Sequence, residues 1–246
     1  IYMCPMDKDI RAHAPGKCPR CGMTLVNSIP EPAEYHLDVT ASPAPAAGAP
    51  VRLTFEVTDP WKGNPVTKYS VIHEKLFHAF LVSEDLDVFR HVHPEWREDV
   101  HAFTYDTTLP KSGMYRVLGD FYPEAATPQL LAQTLVVPGP SPAPARLTRK
   151  EAPKQTENMT VAITVSPETP VAGVSSRVRF TLDPADGHER YLGAWAHMLA
   201  ASDDLIDLMH MHPTIADGQH EMQFDIVFPR PRVYRIWVQF QRNGVV

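Results

Sequence analysis

From residue 35 to residue 137 the apolar positions fall into short runs at 35–40, 51–58, 66–73, 76–82, 87–93, 102–108, 114–121 and 130–137. Stretches rich in Pro, Gly, Asp and Lys separate them, among them ASPAPAAGAP, DPWKGNP and LPKSG. No run shows the three-to-four-residue recurrence of a helix, so the pattern predicts strands. So many short strands within roughly 100 residues predict an immunoglobulin-like β-sandwich. The runs on either side of Ser83-Glu84-Asp85-Leu86 read as a hairpin with Glu84 and Asp85 as its loop, which places His78 opposite His91. Leu76, Phe80 and Phe89 share the histidine face, and Phe77, Leu81, Val88 and Val92 share the other. Apolar on both faces, the hairpin is expected inside a sheet rather than at its edge.

The pattern occurs twice. HAFLVSEDLDVFRHVHPEWREDVH, from His78 to His101, returns as HMLAASDDLIDLMHMHPTIADGQH from His197 to His220. An offset of 119 carries one onto the other and holds without a gap as far as Phe121 and Phe240. Upstream, Pro45, Gly48, Arg52 and Phe55 match Pro170, Gly173, Arg177 and Phe180 at an offset of 125, so the second copy is six residues shorter before its hairpin. The expected organisation is all-β: a small segment at 1–26, a linker at 27–33, one sandwich at 34–138, a Pro-rich linker at 139–157, and a second sandwich at 158–246. The counterpart of the last strand of the first copy is expected to be missing from the second.

Composition narrows the function classes. A net charge of −6 with no basic block argues against nucleic acid or anionic membrane as a partner. No apolar run approaches the length of a membrane span. Twenty-five prolines against twelve glycines fit strands joined by stiff connectors. A start at Ile1 without Met leads to the expectation of an export signal, and a lipid anchor, upstream, and so of a periplasmic or otherwise extracytoplasmic location. The three cysteines all lie within the first 21 residues, a set that suits metal ligation and not a disulfide framework. No G-x-S-x-G, P-loop, dinucleotide fingerprint or Cys/His nucleophile arrangement is present.

Cys18-Pro19-Arg20-Cys21-Gly22 has the form of a metal knuckle, its glycine freeing the backbone to wrap around an ion. Cys4-Pro5-Met6-Asp7 repeats the spacing of three, so Asp7 can complete a Cys3Asp tetrahedron with Cys4, Cys18 and Cys21. Thiolates favour zinc or copper(I), and the carboxylate tilts the choice to zinc. The segment resembles the rubredoxin-like heavy-metal-binding domain of pattern YxCPMHPxxxxxxPGKCPxCGMxLV, attached to copper-efflux P-type ATPases and to membrane-fusion subunits of metal-efflux pumps. Tyr2, Cys4, Pro5, Met6, Pro15, Gly16, Lys17, Cys18, Pro19, Cys21, Gly22, Met23 and Leu25 carry the likeness. Asp7 stands where that family usually has His, and Lys8 where it has Pro; Met6, Met23 and His13 are alternative fourth ligands.

A lone His on an apolar strand is usually held by a backbone carbonyl. Strand parity here brings His91 and His93 to one face with His78 across from them, and His101 heads the next run as a natural fourth. His197, His210, His212 and His220 repeat the set. Neutral imidazoles so spaced suit Cu(II), Zn(II) or Ni(II), with copper highest in affinity. Met198, Met209 and Met211 point to the other face and are read as packing, while His13, His36, His73 and His188 are read as surface or loop residues. His73-Glu74-Lys75, His78, Val82-Ser83, Asp85-Leu86, Phe89, His91, His93 and Pro94 resemble exported immunoglobulin-like proteins close to the FixH/YtkA type. That resemblance implies metal, often copper, handling outside the cytoplasm. The leading expectation is a carrier, buffer or resistance factor for copper, with metal ions and a metal-efflux or copper-delivery protein as partners. One alternative is a cupin-like mononuclear metal enzyme using His91-x-His93 with Glu98, or His212 with Asp217. The other is an adhesive tandem sandwich with buried histidines.

Overall fold

Strands are the only regular elements among the described residues, which in this computed structural model are 1–29, 32–144, 146–150, 152–216 and 221–246. The chain divides into two units, 1–143 and 144–246.

The first unit opens with a head of three two-residue strands, β1 (Tyr2–Met3), β2 (Arg11–Ala12) and β3 (Val26–Asn27), in the antiparallel order β2-β1-β3. Its buried centre is Cys4, Cys18 and Leu25, with Tyr2, Ile10 and Ala12 packed around it. A β-sandwich follows, built from β4 (His36–Ser42), β5 (Pro50–Thr58), β6 (Phe77–Ser83), β7 (Phe89–Val92), β8 (Glu95–Arg97), β9 (Ala102–Thr108), β10 (Gly113–Phe121) and β11 (Gln129–Val137). The sheets are β4-β5-β9-β8 and β11-β10-β6-β7. Along β5 the alternation is strict: Val51, Leu53, Phe55 and Val57 point inward to meet Phe77, Leu81, Phe103 and Phe121. Tyr115 closes one corner, its hydroxyl bonded to the Lys111 amide and carbonyl at 3.1 Å.

Strand β6 is buried at all seven positions because β10 and β7 flank it, whereas β7 is the edge of its sheet. The expectation of an interior hairpin therefore holds for one arm only. Two further expectations need correction. Residues 66–73 form no strand: isolated bridges at Tyr69 and Ile72 and separate backbone hydrogen bonds at Val66, Lys68 and Ser70 hold them, and positive φ at His73 (48°) and Glu74 (64°) turns the chain. The hairpin loop has four residues, Glu84–Asp87, not two: Ser83 N–H donates to Val88 O (3.1 Å), and β6 pairs Ala79 with Val92 and Phe80 with His91. The cause is a side-chain clamp. Ser83 Oγ accepts the Val88 N–H (2.9 Å), and Asp85 takes the Ser83 hydroxyl and the Asp87 N–H. Leu86 turns through φ 58° to stay buried.

The second unit holds β12 (Lys154–Gln155), β13 (Thr160–Ser166), β14 (Ser175–Asp183), β15 (His188–Glu189), β16 (His197–Ser202), β17 (Leu208–Met211), β18 (Ile215–Ala216), β19 (Glu221–Val227), β20 (Tyr234–Gln239) and β21 (Gln241–Arg242). Its sheets are β12-β13-β14-β19-β18, β17-β16-β20 and the pair β15-β21. The hairpin register is that of the first unit, with Met198 facing Met211 and Leu199 facing His210. Ser202, Asp204 and Leu205 (φ 55°) repeat the loop clamp. Packing was rebalanced between the copies. A side chain at Gly119 would meet Phe77 at 2.7 Å, whereas the matching positions carry the pair Val238 and Ala196. No described strand lies beside β20 where β11 lies beside β10, and Tyr234 and Ile236 are only half-buried where Tyr115 and Val117 are fully buried.

Candidate metal sites

In the head, two matching turns deliver the ligands. The Asp7 N–H points at Cys4 Sγ (3.3 Å) and the Cys21 N–H at Cys18 Sγ (3.5 Å), with Gly22 at φ 75° closing the second turn. Cys4 Sγ lies 3.4 Å from Cys21 Sγ and 3.9 Å from Asp7 Oδ2, and Cys18 Sγ lies 3.6 Å from the same oxygen. A tetrahedral ion with metal–sulfur bonds of about 2.3 Å sets its donors about 3.8 Å apart, so the four residues fit one. The three cysteines are free thiols. Burial alone would push the Cys4 thiol up, but the Asp7 and Met6 N–H groups and the other two thiols outweigh it and hold it below its ordinary value. Cys21 receives the Met23 N–H, which lowers its pKa, yet desolvation and the neighbouring Cys4, Cys18 and Asp7 push it up to about 11. One thiol is thus predisposed to ionise ahead of the other. Lys62 and then Arg20 hold the Asp7 carboxyl far below the usual carboxylate range, so it is an anion. The alternative fourth ligands Met6, Met23 and His13 are exposed.

In the first sandwich the structure brings His78, His91 and His93 together, their nitrogens within 4.8 Å of one another. His78 Nδ1 lies 3.1 Å from His91 Nε2, and ring centroids are 4.9 Å apart for His78–His93 and 4.7 Å for His91–His93. His78 is not opposite His91, as the two-residue loop implied; Phe80 is, and it stacks on the His91 ring at 4.3 Å. The error was two residues, so the face was unchanged. The His93 Nε2 is buried without a hydrogen-bond partner among the described residues, a lone pair or proton that a ligand would engage. His101 is not brought in. β8 and the turn after it carry it away to an exposed position at φ 50°. Glu98, the carboxylate of the cupin-like alternative, is also exposed and accepts the Trp96 indole N–H (2.7 Å).

The second sandwich brings the corresponding rings of His197, His210 and His212 near one another, with His197 and His210 further apart than their counterparts. His212 Nε2 lies 3.0 Å from His197 Nδ1, and centroids are 5.8, 4.6 and 4.7 Å apart for 197–210, 197–212 and 210–212. His220 and Asp217 lie outside the described residues. Met198 is fully buried, and Met209 and Met211 pack against the same core on the far face.

Both trios share a feature that the sequence alone did not reveal. His78 Nε2 donates to Ile72 O (3.0 Å), and His197 Nε2 donates to Tyr191 O (2.9 Å). Each carbonyl sits at the mouth of a two-residue turn, Ile72–Lys75 and Tyr191–Ala194, closed by a pair of backbone hydrogen bonds. Both central residues of each turn have positive φ, including Leu192 (51°) and Gly193 (74°). A carbonyl that takes the Nε2 proton leaves the Nδ1 lone pair aimed at the other imidazoles, which is how metal-binding histidines are oriented. Gly193 was the available sequence signal. Among the histidines read as surface or loop residues, His13 and His36 are exposed. The His188 Nε2 donates to Trp195 O (3.1 Å), and His73 lies 6.3 Å from the His78 ring.

Burial, then His78 and Lys75, lower the His93 pKa to about 4. A histidine more acidic folded than unfolded destabilises the fold as pH falls, because the unfolded chain takes up the proton first, near pH ~6.5. Without metal, the first sandwich should therefore lose stability between about pH 6.5 and about 4. His93→Gln should flatten that part of the slope, read from denaturant midpoints. An unchanged slope would show that His93 is not held neutral by its surroundings.

Comparison with known families finds two matches. The model described as Heavy metal binding domain matches residues 1–27. The model described as Domain of unknown function (DUF8832) matches residues 31–137 and 154–246. No curated protein matches the chain.

Proposed function

We propose, for a chain that belongs to the DUF8832 family and carries a heavy-metal-binding domain at its head, that it is an extracytoplasmic copper-binding protein acting as carrier, buffer or resistance factor. The observation that carries this reading is the doubled imidazole trio with its carbonyl-oriented His78 and His197. Neutral nitrogen donors bind Cu(II) above the other common divalent ions. The head is the softer site, suited to zinc or copper(I) through Cys4, Cys18, Cys21 and Asp7. The hairpin's likeness to exported FixH/YtkA-type proteins supports the location and the metal, and a metal-efflux or copper-delivery protein is the natural partner. A carrier needs no substrate cleft, and Glu98, the carboxylate of the enzyme alternative, is exposed and bonded to the Trp96 indole.

The test is metal analysis of the full chain purified without added metal, followed by copper titration monitored by electron paramagnetic resonance. The expected result is one thiolate-held ion and two Cu(II) ions in nitrogen-rich sites. Protein that takes up no stoichiometric metal would favour the adhesive alternative and overturn this reading. Turnover of a substrate by the copper-loaded chain would favour the enzyme.

A further inference from the structure

The two oxygens of Asp7 do different things. Oδ2 faces Cys4 and Cys18, whereas Oδ1 accepts from Arg20 Nη1 (2.9 Å) and from Lys62 Nζ. Lys62 belongs to the first sandwich, 55 residues further along the chain. Arg20 is already committed elsewhere, forked onto both oxygens of Asp9 at 2.9 and 2.7 Å. Lys62 therefore supplies the cation directed chiefly at Asp7.

The loop that presents Lys62 is rigidly built. Asp59 is buried, and its carboxylate accepts the N–H groups of Trp61 (2.9 Å), Lys62 (2.8 Å) and Asn64 (2.8 Å), with Gly63 at φ 66° making the turn. Next to it the Trp61 ring stacks under the Arg11 guanidinium of the head at 4.3 Å and meets Tyr35 edge-on at 6.1 Å. The head thus rests on the sandwich through Trp61, and Lys62 reaches from the same loop to a ligand of the ion.

Charge gives this contact a purpose. Three thiolates and a carboxylate around a divalent ion leave a net charge of −2, in a site where Cys4 and Cys18 are buried. A cation on the carboxylate offsets part of that charge and fixes which oxygen faces the thiolates. We propose that Lys62 is a positioning residue of the head's metal site, so that loading the ion and docking the head on the first sandwich are one coupled equilibrium. The proposal rests on the head binding a metal, as in the reading above. A half-exposed lysine on a buried carboxylate adds little as a simple docking contact. Its effect on the ion is the distinguishing property.

The test uses the full chain and cobalt(II) as probe, with affinity from competition against a chelator and geometry from the visible absorption bands. Lys62→Met should weaken binding at the thiolate site by about 10- to 100-fold, the usual consequence of removing a group that orients a ligand. The ligand-field bands should shift as well, since the carboxylate is no longer held. Lys62→Arg should recover most of the affinity, and Lys68→Met, an exposed lysine of the same sandwich, should change nothing. Coupling is reciprocal, so removing the ion should loosen the head, read as faster proteolysis of residues 1–27 in the wild type and a smaller change in Lys62→Met. Cobalt bound as tightly and with the same spectrum in Lys62→Met would overturn the proposal while leaving the metal site intact. An equal loss in Lys68→Met would overturn it too, as a general charge effect. A wild-type chain with no thiolate-bound cobalt would instead refute the metal-binding reading of the head.

Discussion

Cys18→Ser should empty the head and unfold it while both sandwiches remain folded. The head has almost no core of its own: Cys4, Cys18 and Leu25 are its buried centre, and its strands are two residues each. Two of those three buried side chains are proposed ligands, so nearly everything that would hold the segment together passes through the proposed ion. Structural zinc sites of this kind supply about 10–16 kcal/mol at neutral pH, far more than the remaining contacts of Tyr2, Ile10 and Ala12 can replace. Serine keeps the volume but removes a thiolate, and the other donors, Cys4, Cys21 and Asp7, cannot close a tetrahedron by themselves. The measurement is zinc content by elemental analysis, together with amide spectra of residues 1–26. Loss of one equivalent of zinc and collapse of those signals is expected, with the sandwich signals unshifted beyond the Asp59–Asn64 loop. Full zinc content in the mutant would rule the assignment out.

The second large effect is expected at the imidazole trios. His91→Ala should remove one copper equivalent, and adding His210→Ala should remove a second. Each residue belongs to its trio, its ring centroid 4.7 Å from that of the next histidine in both copies. Losing one nitrogen of three leaves a two-ligand site, too weak to compete with a chelator of moderate strength. His101→Ala should keep full stoichiometry, because His101 is exposed and apart from the trio. His36→Ala, at an exposed site next to Asp38, serves as a second control. Two nitrogen-bound copper ions surviving in the double mutant would show that the sites lie elsewhere. Loss in His101→Ala equal to that in His91→Ala would mean that the loop after β8 swings inward when copper binds.

The sequence by itself determined the strand-only architecture, the recurrence of the histidine hairpin and the faces on which the histidines lie. It could do so because those facts depend on periodicity: side chains alternate with period two, and the offset of 119 preserves that alternation. The hairpin register was misjudged by two residues, yet Phe80 and His91 kept their face, since only an odd slip moves a side chain to the other side. The convergence of the head's candidate ligands was equally legible, because Cys4–Asp7 and Cys18–Cys21 lie within single turns whose spacing fixes their geometry. Only the tertiary structure decided how the loop is clamped, whether a fourth histidine arrives, and what orients the ligands. Ser83 and Asp85 lengthen the turn through side-chain hydrogen bonds that strand patterns do not encode. His101 leaves the site because β8 pairs with β9 and spends the intervening chain on a turn. Ile72 O, Tyr191 O and Lys62 act through backbone turns or across 55 residues of chain, where, Gly193 apart, neither residue type nor spacing announces a partner. Contacts of that kind come into being only when separate segments are packed against each other.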